Sequence, residues 1–173
     1  MAENRDTKIL RMLQDEFGKA YSSEAMIFSR APGRLEILGN HTDYNEGLVL
    51  SMAVDLATYV AISPAQNCSQ CRVLDIVHSS FRQFSLNELD NKDCSDWGNY
   101  VKGLIVELNL RGIKVPAFDA VLYSELPLAA GMGSSAALEI SMLLALLKLC
   151  NIELNWLDCA KIAQACENNY VGV

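Results

Sequence analysis

Between Leu126 and Glu139 the chain reads LPLAAGMGSSAALE, in which Gly131, Met132, Gly133, Ser134 and Ser135 separate a strand-like ending from an apolar helical pattern. That order sets backbone N–H groups without intrahelical partners at the positive end of a helix, where they attract anions. Glycines at 131 and 133 let the main chain come close to a phosphate, and the hydroxyls of Ser134 and Ser135 can donate to phosphate oxygens or ligate Mg²⁺ through oxygen. A nucleoside triphosphate suits such a turn. A tight strand-to-helix connection in which a serine only caps the helix accounts for it equally well. The spacing matches neither the Walker A lysine motif nor GxGxxG.

A second concentration of chemistry lies upstream. Arg34, Asn40, His41, Asp43, Tyr44 and Asn45 fall within twelve positions between two apolar stretches, more hydrogen-bonding capacity than solubility requires. Asp43 can accept from two vicinal hydroxyls, His41 can donate or accept and Asn40 can do both, a set able to read a sugar. A solvated hairpin loop explains Asn45-Glu46-Gly47 but not the preceding His-Thr-Asp-Tyr. Arg34 follows Ala-Pro-Gly within a strand pattern and is expected on an inward face, where its guanidinium would meet a phosphoryl group or a carboxylate.

The elements that must position these residues follow from periodicity. Residues 4–20 carry apolar side chains at helical spacing. Residues 25–39 and 47–63 read as two strands around the polar loop, CRVLDIVHSS and FRQFSLNEL as a further hairpin, and VPAFDAVLYSELP as another strand. Helices are expected over about 97–111, from about Ser135 to Cys150 and from about Asn155 onward. Without strict strand–helix alternation, the pattern favours an α+β sandwich over a doubly wound sheet.

Composition limits the partners. The chain has 173 residues, 51% hydrophobic and 20% charged, which suits one globular domain and excludes a disordered or disulfide-scaffold protein. Its net charge of −7 leaves no polybasic footprint, so nucleic acid is not expected as a partner. The longest apolar run, Ile140 to Leu147, is far shorter than the ~20 residues that span a bilayer, and the first residues lack a signal-peptide pattern; a cytoplasmic protein with no membrane partner is expected. Cys68 and Cys71 form one CxxC with no second pair, and His41 and His78 show no ligand spacing, so these cysteines read as reduced loop thiols. Cys150, Cys159 and Cys166 read as small core fillers.

RAPGRLEILGNHTDYNEG at residues 30–47 closely resembles the galactokinase signature, and residues 126–139 resemble the second motif of the wider GHMP small-molecule kinases. WGNYVKG at 97–103 and ACENNYVGV at 165–173 are similar to galactokinases in the same order, so the resemblance covers nearly the whole chain. It implies a GHMP kinase N-terminal domain over 1–173, a two-layer α/β sandwich of the ribosomal protein S5 domain 2-like fold. A C-terminal domain is implied beyond it, with the active site between the two. It also implies ATP and Mg²⁺ as cofactors and a sugar as substrate. On that reading residues 131–135 cradle ATP phosphates, Ser135 and Glu167 fall at the Mg²⁺ positions, Asn40, His41 and Asp43 at sugar-contacting positions, and Arg34 at the catalytic arginine.

Two departures from the family pattern matter. Asn40 stands where the family has glutamate near the sugar C6 hydroxyl, an exchange that removes a negative charge and adds donors. The family's catalytic aspartate falls beyond Val173, so the 173 residues are expected to be the N-terminal part of a longer protein and inactive alone. The complete enzyme is expected to transfer the γ-phosphoryl group of ATP to the C1 hydroxyl of galactose. The alternatives are a kinase for N-acetylgalactosamine, arabinose or a uronate, and a catalytically silent sugar and ATP sensor. All of these readings require the sugar-reading hairpin to face the glycine–serine turn.

Overall fold

The structure is a computed structural model that describes residues 4–39, 47–66, 68–92, 96–127 and 130–172. Apolar positions one turn apart make α1 (Arg5–Tyr21) amphipathic, and its Ile9, Leu13 and Phe17 are buried. Two long strands, β1 (Ile27–Leu38) and β2 (Leu50–Pro64), pair antiparallel from Ile27↔Ile62 to Leu38↔Leu50. Two short ones, β3 (Gln70–Asp75) and β4 (Ser80–Ser85), form the expected second hairpin. The helix α2 (Gly98–Leu110) then leads to β5 (Phe118–Ser124), which inserts between the hairpins, antiparallel to β2 and parallel to β3. The sheet order is β1-β2-β5-β3-β4.

Three helical segments close the chain: α3 (Ser134–Leu149), α4 (Trp156–Ala165) and a π-helical turn over Cys166–Val171. Asn155 starts α4 as expected, its side-chain oxygen accepting from the Asp158 N–H at 2.9 Å. The π-helical turn was not legible in the sequence. It carries Glu167.

Strand alternation sorts the core into two clusters. On one face of the sheet Val60, Ile62, Val73, Phe118, Ala120 and Leu122 pack under Leu104, Leu108, Met142, Leu143 and Leu146 of α2 and α3. On the other, Ala57, Tyr59, Ala61 and Val121 receive Ile9, Leu13 and Phe17 of α1. The α+β organisation is the expected one, with α1 adding a helix on the second face. The start of α1 is held by Arg5, which donates to Glu125 at 2.6 Å and to Asp55 at 2.9 Å.

Because β5 pairs with β2 only over Thr58–Pro64, the far half of the β1–β2 hairpin runs out of the sheet as a two-stranded ribbon. Leu35, Ile37, Leu38, Leu50 and Met52 are exposed along it. No helix among the described residues is long and apolar enough to cross a membrane.

Candidate active site

The register of β1 slips between Pro32 and Arg34, and there the strand closes on the turn that follows β5. Gly33 makes this approach possible: a Cβ at this position would lie 2.4 Å from Leu126 Cδ2 and 2.9 Å from the Met132 carbonyl oxygen. The next N–H, that of Arg34, donates to the same carbonyl at 2.9 Å. Two stretches about a hundred residues apart in sequence are therefore bonded to one another. The Arg34 side chain, expected to face inward, is instead half exposed, with Nη2 a loose 3.7 Å from Glu36 Oε2. The bulge turns it out of the core.

Gly131 and Gly133 both take positive φ, 69° and 64°, which a β-carbon would strain. Gly133 is the residue before α3, its carbonyl accepting the first helical bond from Ala137 N–H at 2.9 Å. No side chain caps this helix, and Ser134 and Ser135 are already its first two residues. Capping therefore does not explain the serines. They are half-buried and face a cleft of about 290 Å³.

The cleft runs from these serines and Leu138 across Leu122 and Leu126 of the sheet side to Trp97 and Tyr100 at the start of α2. Asp75, His78 and Ser80 of the β3–β4 hairpin close its far end. Trp97 is held rigidly: its Nε1 donates to Ser80 Oγ at 3.1 Å, and the Arg82 guanidinium lies 5.4 Å from the ring centroid while its Nε donates to Asp96 at 2.7 Å. A flat aromatic wall at one end and helix N–H groups at the other are the two requirements of a nucleotide, whose base stacks and whose phosphates are anionic.

Beside the serine end lie two carboxyl groups. Glu139 is one helical turn after Ser135 and 1% exposed, and among the described residues its oxygens meet no polar partner other than the Cys166 thiol. Burial, with Glu167 adding its charge, pushes the Glu139 carboxyl up to about 8, against the pull of the neighbouring Cys166 thiol. The Tyr100 hydroxyl is raised by burial and then by the charges of Glu167 and Glu139, so both carboxyls stand close to a cleft-lining side chain.

The structure thus bonds Arg34 to Met132 in the turn that opens α3 and puts Ser134 and Ser135 on the cleft wall, with Glu167 close to the cleft-lining Tyr100; Arg34, Gly131, Met132 and Gly133 do not line the cleft. Asn40, His41 and Asp43, with Tyr44 and Asn45, lie outside the described residues. Among the described residues no group of three or more His, Cys, Asp or Glu is gathered as a metal cluster. Sequence reasoning missed Asp75, His78, Ser80 and Glu139. An Asp three residues before a His at a hairpin turn was the available signal for the first two, whereas Glu139 looked like any flank of an apolar run.

Residues 15–64 match the family profile described as the galactokinase galactose-binding signature, and residues 99–173 match that of the GHMP kinases N terminal domain. A galactokinase of Chloroflexus aurantiacus is 36% identical over 164 residues, covering 95% of this chain and 42% of that protein. The crystal structure of Lactococcus lactis galactokinase complexed with galactose superposes with a TM-score of 0.86 at 29% identity, over 95% of this chain and 43% of that one. Methanococcus jannaschii mevalonate kinase shares the fold, with a TM-score of 0.74 at 24% identity. The chain spans less than half the length of these relatives. It belongs, with its glycine–serine turn bonded to its RAPGR strand, to the galactokinase family of GHMP kinases, whose N-terminal domain it carries.

Proposed function

We propose that this chain is the N-terminal part of a cytoplasmic, ATP-dependent sugar kinase. It moves the γ-phosphoryl group of ATP to the C1 hydroxyl of galactose, giving galactose 1-phosphate and ADP. The observation that carries the reading is the Arg34–Met132 bond at 2.9 Å, which joins the strand entering the sugar-reading loop to the turn that opens α3. The base would lie against Trp97, the triphosphate would follow the cleft to Gly131–Ser135, and Asn40, His41 and Asp43 would orient the sugar.

Transfer breaks the bond between the γ-phosphorus and the β,γ-bridging oxygen as the C1 oxygen attacks in line. The helix N–H groups at 133–135 neutralise negative charge on the phosphates, and Arg34, exposed at the mouth of the ribbon, is free to swing onto the transferring group. Magnesium, which the family implies, fits the donor set. Ser135 and Glu167 offer oxygens only, and the buried carboxyl of Glu139 places further oxygen acceptors beside them. Ser135 and Glu167 would hold the ion, which would offset the negative charge of the phosphates. The proton of the C1 hydroxyl passes to a general base outside the residues assigned above.

A coupled ADP-release assay of the full-length gene product, run against galactose, other aldohexoses, galacturonate and N-acetylgalactosamine, tests this. Galactose is expected to be turned over fastest, and Arg34→Ala and Asp43→Ala to lose at least ~100-fold in kcat/KM. Activity confined to galacturonate would transfer the reading to a uronate kinase, which the amide at Asn40 in place of glutamate favours. No ADP release with any sugar would leave the silent sensor.

A further inference from the structure

Charged side chains outside the cleft gather where the β1–β2 ribbon leaves the sheet. Pro32 pairs with Ala57 and Arg34 with Ala53, so residues 54–56 of β2 face Gly33 alone and the strand bulges. The sheet ends beside this bulge: Glu125 N–H donates to the Ala57 carbonyl at 3.0 Å, and Glu125 Oε2 accepts from the Ala57 N–H at 3.3 Å. Among the described residues Asp55, in the middle of the bulge, pairs with neither β1 nor β5.

Two arginines hold it instead. The Asp55 carbonyl accepts from Arg30 Nη2 at 3.0 Å, and its Oδ2 accepts from Arg5 Nη1 at 2.9 Å. Each guanidinium is anchored in turn on the sheet. Arg5 donates to Glu125 Oε1 through Nε at 2.9 Å and Nη2 at 2.6 Å, and that carboxylate is only 10% exposed. Arg30 Nε donates at 3.2 Å to the hydroxyl of the buried Tyr59, which donates to Asp6 Oδ1 at 2.7 Å. A lone exposed ion pair contributes little, and the Asp55 side chain is 88% exposed. Here, however, one residue is gripped at both its carbonyl and its carboxylate within a connected network, and bending the bulge breaks bonds to both arginines.

The two strands of the ribbon lead into and out of the stretch that contains Asn40, His41 and Asp43. At ~3.4 Å per residue the ribbon extends about 17 Å from Asp55 to Leu50, so a tilt of about 4° at the bulge moves that end by about 1 Å. A displacement of that size is enough to spoil the orientation of a substrate. We propose that Arg5 and Arg30 are positioning residues for the sugar: by bracing Asp55 they fix the angle of the ribbon, and through it the reach of Asn40, His41 and Asp43. The nucleotide cleft is not lined by Arg5, Asp6, Arg30, Asp55, Tyr59 or Glu125, so the brace acts on one substrate and not on the other. This rests on the sugar-kinase reading and adds the start of α1 to the parts that serve the sugar.

The test is steady-state kinetics of the full-length gene product with galactose and ATP varied in turn, alongside calorimetric titration with galactose and with AMPPNP. Arg30→Ala is expected to raise KM for galactose at least ~10-fold and Arg5→Ala at least ~3-fold, with KM for ATP within ~2-fold of wild type in both. Arg30→Lys keeps the charge but not the fork that reaches two acceptors, and is expected to fall between Arg30→Ala and the wild type. A merely loosened fold lowers the active fraction, and so kcat, without separating the two KM values. If Arg30→Ala does not fold, Arg30→Lys and Arg5→Ala decide. Galactose affinity unchanged in the variants, or galactose and AMPPNP weakened equally, overturns the inference and leaves the kinase reading intact. Failure of the wild type to turn over or bind galactose overturns both.

Discussion

Cys71 illustrates how far a single side chain can depart from its local signal. CSQC reads as a pair of loop thiols, but only Cys68 lies ahead of β3; Cys71 is its second residue, fully buried in the main core. Burial pushes its thiol up from the usual 9.0 to about 12. The fold favours the protonated form, so the contribution of this group to stability is complete below pH 9 and is lost as pH rises toward 12. At pH 8 iodoacetamide should modify Cys68 readily and Cys71 only at the rate of unfolding; equal rates in the native protein would show that β3 is not closed there. The roles of His78, Ser80 and Glu139 were illegible for the same reason. What each does depends on partners brought by other elements, Trp97 and Arg82 for Ser80 and the π-helical turn for Glu139. Gly131, Gly133 and the two serines were legible because their chemistry is local: backbone angles and the start of a helix.

At the scale of elements, the junction of β1 with the turn before α3 depends on the absence of one carbon. Gly33→Ala would drive a methyl group into Leu126 and the Met132 carbonyl, and since the latter is backbone, strand and turn must separate. The expected outcome is a loss of ~1–3 kcal/mol in urea unfolding and at least ~10-fold weaker AMPPNP binding. An alanine variant with wild-type affinity would mean that the junction does not shape the phosphate end. Most helices and strands were readable from spacing, because α1 alternates apolar and charged faces and β1 and β2 flank a polar loop. The π-helical turn was not, since its extra residue per turn accommodates Tyr170 and Cys166 against Gly103, a fit between two helices that neither states alone.

Across the whole molecule, the glycine–serine turn, the aromatic wall and the Asp75–His78 pair come from three separate stretches and meet only because the sheet brings them to one end. Resemblance pointed to the glycine–serine turn and to the stretch around Trp97, whereas the arrival of the Asp75–His78 pair beside them had no signal in the sequence. The same sheet order has a consequence for how the chain matures. β5 is the middle strand, yet it is the last of the five to be synthesised, so the hairpins β1–β2 and β3–β4 have no sheet neighbour in common until it arrives. On the ribosome, each hairpin must wait with an unpaired edge while α2 and the residues up to Ser124 emerge, an interval in which off-pathway pairing between nascent chains is most dangerous. Nascent chains stalled shortly before Phe118 should be digested rapidly by a probe protease, whereas those with α3 fully extruded should resist it.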